Sequence, residues 1–106
     1  MNKLLSLLGL AKKAGRLSLG HDAVLEAIGK NKAKLILLAA DASERLEREV
    51  TREVTFQKSN ATIRRIEETM AEIGRALPNK VGVVSVNDTS FATAMIHIME
   101  EADTNG

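Results

Sequence analysis

The chain has no cysteine, no tryptophan and no tyrosine, and one proline among its 106 residues. Without cysteine there is no disulfide, no thiolate metal site and no cysteine nucleophile. Aromatic residues make up 2% of the chain, namely Phe56 and Phe91, so the stacking platforms that hold unstructured single strands are missing. If nucleic acid is a ligand, a structured form is favoured. No apolar run approaches the roughly 18 to 20 residues that cross a bilayer, and no membrane partner is expected. The N-terminal segment carries Lys12 and Lys13 after its apolar part and lacks a small-residue cleavage pattern. That is wrong for a secretory signal, so a cytoplasmic protein is expected.

What is present is ordinary globular material: 44% hydrophobic and 27% charged residues. A chain of this size builds one hydrophobic core, expected over residues 1–102, with a frayed tail at 103–106. The net charge of +1 conceals an asymmetry. Residues 1–40 hold seven basic and two acidic side chains, a net of +5, and residues 41–106 hold eight basic against twelve acidic, a net of −4. Such polarity points to a basic face that meets phosphate.

Hydrophobic periodicity orders the chain. Leu4, Leu7, Leu8 and Ala11 predict a helix over 2–14 with Gly15 as its stop. A short strand at 16–19 leads through Gly20 into a second helix carrying Ala23, Val24, Ala27 and Ile28, which closes near 29–31. The run KLILLAA at 34–40 reads as a central strand covered on both faces. Asp41 and Glu44 suggest a capped third helix, with Leu46, Val50 and Val54 on its buried stripe. A weak third strand is expected at 61–66, then a helix opened by a Thr69/Glu72 capping box and stopped before Pro78. A valine-rich strand at 81–86 follows, then a last helix with cap candidates at 87–90 and a stripe of Phe91, Ala94, Met95, Ile98 and Met99. The alternation predicts a three-layer α/β/α sandwich around a small, mixed, four-stranded sheet.

Catalytic signatures are scarce. The glycines form neither a Walker loop nor a dinucleotide fingerprint, and neither His21 nor His97 has a second ligand at metal-binding spacing. Adjacent carboxylates at Glu67/Glu68 and Glu100/Glu101 do not face each other on a helix. Asp88, Ser90 and His97 contain triad residue types without an elbow motif; helix capping explains Asp88 and Ser90 better. No cofactor, metal ion or small-molecule substrate is expected, and the protein is not expected to be an enzyme. What remains is the helix N-terminus after Gly20, whose free N–H groups and positive dipole end suit phosphate, with Lys12, Lys13, Arg16 and Lys30 nearby in sequence. The basic cluster of Lys30, Lys32 and Lys34 reads either as part of that face or as a solvated loop.

The string LGHDAVLEAIGKNKAKLILLAAD at 19–41 resembles the ribosomal family of kink-turn RNA binders typified by the archaeal L-seven-Ae protein, and its short bacterial members in particular. AKKAGRLSLG, DAS at 41–43, TMAEIGRAL at 69–77 and VNDTSFATAM at 86–95 extend the resemblance over nearly the whole chain. The resemblance implies a non-enzymatic RNA-binding protein, ribosome- or translation-associated, whose partners are structured RNA (ribosomal RNA among them) and a ribosomal or translation-factor protein. In the family, the glycine before helix two precedes a polar pair that reads sheared G·A pairs, and a lysine one turn on contacts RNA. Gly20 matches that glycine. His21, Asp22 and Ala23 stand where the family usually has a small polar residue, asparagine and glutamate, and Glu26 stands where lysine is common. These departures remove a base-reading acid and place a negative charge at a phosphate contact, each a matter of a few kcal/mol. The second family contact maps onto Pro78, Asn79, Lys80 and Val81. The expected RNA-binding residues are therefore Arg16, Leu19, Gly20, His21, Asp22, Lys30, Lys32, Asn79, Lys80 and Val81. The departures at Asp22, Ala23 and Glu26 motivate a second reading, a protein-interaction module of the same fold that has lost kink-turn binding.

Overall fold

The computed structural model describes residues 2–105, with side chains through residue 102. Helix α1 (Lys3–Lys13) is opened by Asn2, whose side chain accepts a hydrogen bond from the Leu5 N–H, and it buries Leu4, Leu5, Leu8 and Ala11. It ends in a Schellman motif: Gly15 adopts φ +72°, the Arg16 N–H donates to the Ala11 carbonyl and the Gly15 N–H to the Lys12 carbonyl. Edge strand β1 (Leu17–Leu19) then runs into α2 (His21–Gly29). The same cap closes α2 at Asn31, and α3 (Glu44–Phe56) at Lys58, both with positive φ.

Strands β2 (Leu35–Leu38) and β4 (Val83–Val86) are buried along their whole length, as central strands between two helical layers must be. The sheet order is β1-β4-β2-β3. β4 is antiparallel to both β1 and β2, whereas β3 (Thr62–Arg65) pairs in parallel with β2 and closes a β2–α3–β3 unit. The expected mixed four-stranded sandwich is the observed fold. Helices α2 and α3 pack together in one layer; α1 packs with α4 (Met70–Ala76) and α5 (Thr89–Asn105) in the other. The only buried polar side chain among the described residues, Ser85, donates to Asn87, which in turn donates to Ser18, so the sheet centre carries no orphaned polar atom.

Two expectations change in detail. Asp41 does not cap α3; Ser43 does, accepting from the Leu46 N–H, while Asp41 reaches across to the Met70 N–H at the start of α4. The Thr69/Glu72 capping box forms as expected. In α5, opened by Asp88 accepting from the Phe91 N–H, Ala92 and Met95 are buried and Ala94 is exposed. Over the tail expected to fray at 103–106, the α5 backbone continues helical to Asn105, and residue 106 lies outside the described residues.

Candidate nucleic-acid interface

The first turn of α2 is built around Gly20. Its φ of +92° and ψ of 169° lie in a region that is essentially glycine-only. The Gly20 N–H donates to the Val83 carbonyl at 3.0 Å, which fixes the junction to the sheet. No side chain caps α2, so its first-turn N–H groups face outward with the positive end of the dipole. A Cβ at Gly20 would meet one atom within 4 Å, Val81 Cγ1 at 3.9 Å. Val81 therefore flanks the helix N-terminus directly. It does so because β4 begins only at Val83, two residues later than the apolar run suggests, and leaves Val81 in the preceding loop.

That loop is held from the opposite layer. Lys12 Nζ donates to the Leu77 carbonyl and to Asn79 Oδ1, each at 3.0 Å. Gly74 has no side chain to keep the loop away, and Lys80 Cα lies 3.3 Å from where its Cβ would stand. Lys80 itself is exposed.

On the α2–α3 side the surface carries carboxylates. His21 joins the two helices: Nδ1 meets Asp22 Oδ1 at 2.9 Å and Nε2 meets Glu49 Oε2 at 2.5 Å. These hydrogen bonds, first from Asp22 and then from Glu49, raise the His21 pKa above the ordinary imidazole value. Glu49 is lowered in turn, first by His21 and then by Arg45, whose Nε donates to it at 3.1 Å. Glu26 is lowered by Lys30, 2.6 Å away. All these groups are solvent-facing, so solvent screens their coupling.

A profile of the ribosomal protein L7Ae/L30e/S12e/Gadd45 family matches residues 2–95. The chain belongs to that family. Within the family's reach, the RNA-binding protein YlxQ of Bacillus subtilis (strain 168) is 34% identical over 95 residues, covering 89% of this chain and 92% of that protein. Among solved structures, a protein of unknown function from Bacillus halodurans C superposes with a TM-score of 0.80 at 24% identity, over 94% of this chain and 99% of that one. The 15.5kD RNA binding protein of Giardia lamblia superposes with a TM-score of 0.66 at 18% identity, over 95% of this chain and 85% of that one. At these identities the likeness to the two structures concerns the fold.

In this family member seven of the ten expected site residues come together: Leu19, Gly20, His21 and Asp22 at the β1–α2 junction, and Asn79, Lys80 and Val81 beside it. Leu19 is half-buried and packs on the core, and Asn79 is engaged by Lys12. The remaining three do not join them. Arg16 stands at the other end of β1, its carbonyl accepting from the Asn87 N–H and its Nε 3.9 Å from Asp88. Lys30 and Lys32 lie in the C-terminal cap of α2, where the Lys32 N–H closes onto the Ala27 carbonyl. A helix of nine residues puts them about 12 Å from its N-terminus, at the negative end of the dipole that lysines complement. All three are near Gly20 in sequence and apart from it in the fold.

Two contributors had no local signal: Glu49, whose partner His21 lies 28 residues away, and Lys12 as the tether of the 77–79 turn, 67 residues from Asn79. The triad residue types take other roles: Asp88 caps α5, and His97 pairs with Glu101 one turn on at 2.8 Å. No group of three His, Cys, Asp or Glu side chains able to hold a metal occurs among the described residues.

Proposed function

We propose that this protein binds structured, kink-turn-like RNA without catalysing a reaction on it, in the cytoplasm and in association with the ribosome or translation. The observation that carries the reading is the position of Val81 beside Gly20 at the uncapped N-terminus of α2, in a chain of this family. The two features are complementary in what they offer RNA. The α2 N–H groups and the exposed Lys80 meet phosphate or a base edge, and the half-buried Val81 is an apolar surface on which an extruded base is shielded. The relation to the RNA-binding protein YlxQ supports the same ligand class. The test is a titration against a kink-turn RNA and a variant lacking its G·A pairs, at two salt concentrations. The proposal expects tight binding that depends on the G·A pairs. Weak binding, equal for both RNAs and abolished by salt, is the signature of bare charge and refutes it.

A second reading draws on the carboxylates of Asp22, Glu26 and Glu49 around the α2–α3 seam. Such a surface repels phosphate and suits a basic protein partner, a ribosomal or translation-factor protein among them. Recovery of that partner after nuclease treatment favours this reading; strictly RNA-dependent recovery removes it.

A further inference from the structure

The charges on the two sides of the Gly20–Val81 contact are sorted by sign. On the α2–α3 side stand Asp22, Glu26 and Glu49, to which His21, Lys30 and Arg45 are paired; Arg48 of α3 pairs with Glu44, and Arg52 and Lys32 are exposed. On the α1–α4 side stand Lys12, Lys13, Arg75 and Lys80. Helix α1 contains no acidic residue, and the one carboxylate of α4, Glu72, is committed to its capping box. Lys12 has a structural task in holding Leu77 and Asn79. Lys13, Arg75 and Lys80 are exposed and make no ion pair among the described residues.

Lys12 and Lys13 line a groove, with Arg75 next in sequence to its lining residue Ala76 and Lys80 two residues beyond Pro78. Gly9, Leu10, Lys12, Lys13, Ala76 and Pro78 line an open cavity of about 620 Å³ between the last two turns of α1 and the end of α4. Gly9 has nothing within 4 Å of where a side chain would begin, and Leu10 is 56% exposed, one of two large apolar side chains left open among the described residues. The small floor allows close approach, Leu10 and Pro78 supply apolar contact, and the rim is positive. The groove is continuous with the Gly20–Val81 contact through the 77–81 loop, which Lys12 ties to α1.

We propose that the α1–α4 groove is a second binding site, which takes the sugar–phosphate backbone of the helical stem flanking the RNA element held at Gly20 and Val81. The inference rests on the RNA-binding reading and fixes its polarity: the RNA leaves the site over α1 and α4, away from the carboxylates of α2 and α3. Attraction to unpaired cations on one side and repulsion on the other act in the same direction. The contacts are to backbone, so they add affinity and salt dependence without reading sequence.

The test compares a kink-turn RNA carrying a long flanking stem with the same RNA truncated at that stem. The double variant Lys13→Gln, Arg75→Gln removes two unpaired surface charges, a change that leaves stability within about 0.5 kcal/mol, checked by thermal unfolding. It is expected to bind the long-stem RNA about tenfold more weakly, with a log–log salt slope smaller by about 2, and to match the unaltered protein on the truncated RNA. Val81→Asp is expected to weaken both RNAs alike. Equal loss on both RNAs, or no loss on either, overturns the groove assignment while leaving the Gly20–Val81 site intact. An acidic peptide that occupies the groove without competing with the long-stem RNA overturns it in favour of a protein partner. If the unaltered protein binds neither RNA, the underlying reading fails and the inference with it.

Discussion

Replacing Gly20 by alanine isolates the backbone at the centre of the account. A Cβ there meets Val81 Cγ1 at 3.9 Å, an ordinary van der Waals distance, so no steric clash with the fold is introduced. The penalty comes from φ +92° and ψ 169°, which an L side chain adopts at a cost of about 1–3 kcal/mol. For a chain of this size each kcal/mol lowers the melting temperature by roughly 4–8 °C, so Gly20→Ala is expected to lower it by about 4–24 °C. Denaturant unfolding should show a lower midpoint at unchanged slope, since the surface exposed on unfolding is the same. Gly9→Ala supplies the opposite sign: this glycine sits inside α1, has open space around it, and its replacement should stabilise by about 0.5–1 kcal/mol. Where Gly20→Ala relaxes instead of straining, α2 turns its first N–H groups away from Val81, so affinity for structured RNA falls as well. Gly20→Ala as stable as the unaltered protein, or both glycines responding with one sign, refutes the reasoning.

Lys58 is the converse of Gly20, a non-glycine residue at φ +53° in the cap of α3; Lys58→Gly should raise stability by roughly 0.5–1 kcal/mol in chemical denaturation. Arg65 Nη1 donates to the carbonyls of Ala39, Ala40 and Ala42 at 3.0, 3.2 and 2.9 Å, and its guanidinium also pairs with Glu47. Arg65→Ala strips those carbonyls of their donor at a cost of about 1–3 kcal/mol, and Arg65→Lys, a single ammonium, restores only part of it in the same assay. His21, with a raised pKa, stabilises the α2–α3 contact fully below the ordinary imidazole value of about 6.5, and this contribution disappears as pH rises through its own higher pKa. Glu49, with a lowered pKa, contributes above the ordinary carboxylate range and loses its contribution as pH falls through its own lower pKa. An NMR titration should therefore find the His21 pKa above that of a free imidazole and lower in Glu49→Gln; an unchanged value in the variant rules out the contact.

Much of the fold is legible in the sequence because local and tertiary demands agree. The buried runs at β2 and β4 are continuous because both faces are covered, and Gly15 stops α1 where a left-handed residue is required. The Thr69/Glu72 box is a purely local device and reads without ambiguity. Asp41 misleads because a cap-forming side chain does not say which helix it serves; it accepts from the first N–H of α4, 29 residues away, and leaves α3 to Ser43. The site is legible by halves for the same reason. Gly20 announces a special backbone position, and the family resemblance points to Val81, but only the antiparallel pairing of β1 with β4 brings them together. Arg16, Lys30 and Lys32 are close to Gly20 along the chain and remote from it in space, because a strand and a helix each carry the chain from one end of the sheet to the other. Charge sorting about the site is invisible in the sequence, where the excess of positive charge in residues 1–40 mixes α1 with α2.

The most direct test of the central claim is a map of backbone amide shifts in the isotope-labelled protein as a kink-turn RNA is added. The account predicts the largest changes at Gly20, His21, Asp22, Lys80 and Val81, a smaller set at Lys13 and Arg75 when the flanking stem is present, and little change at Lys30 and Lys32. Changes centred on α3 or on the C-terminal cap of α2, with Gly20 and Val81 unmoved, would contradict it.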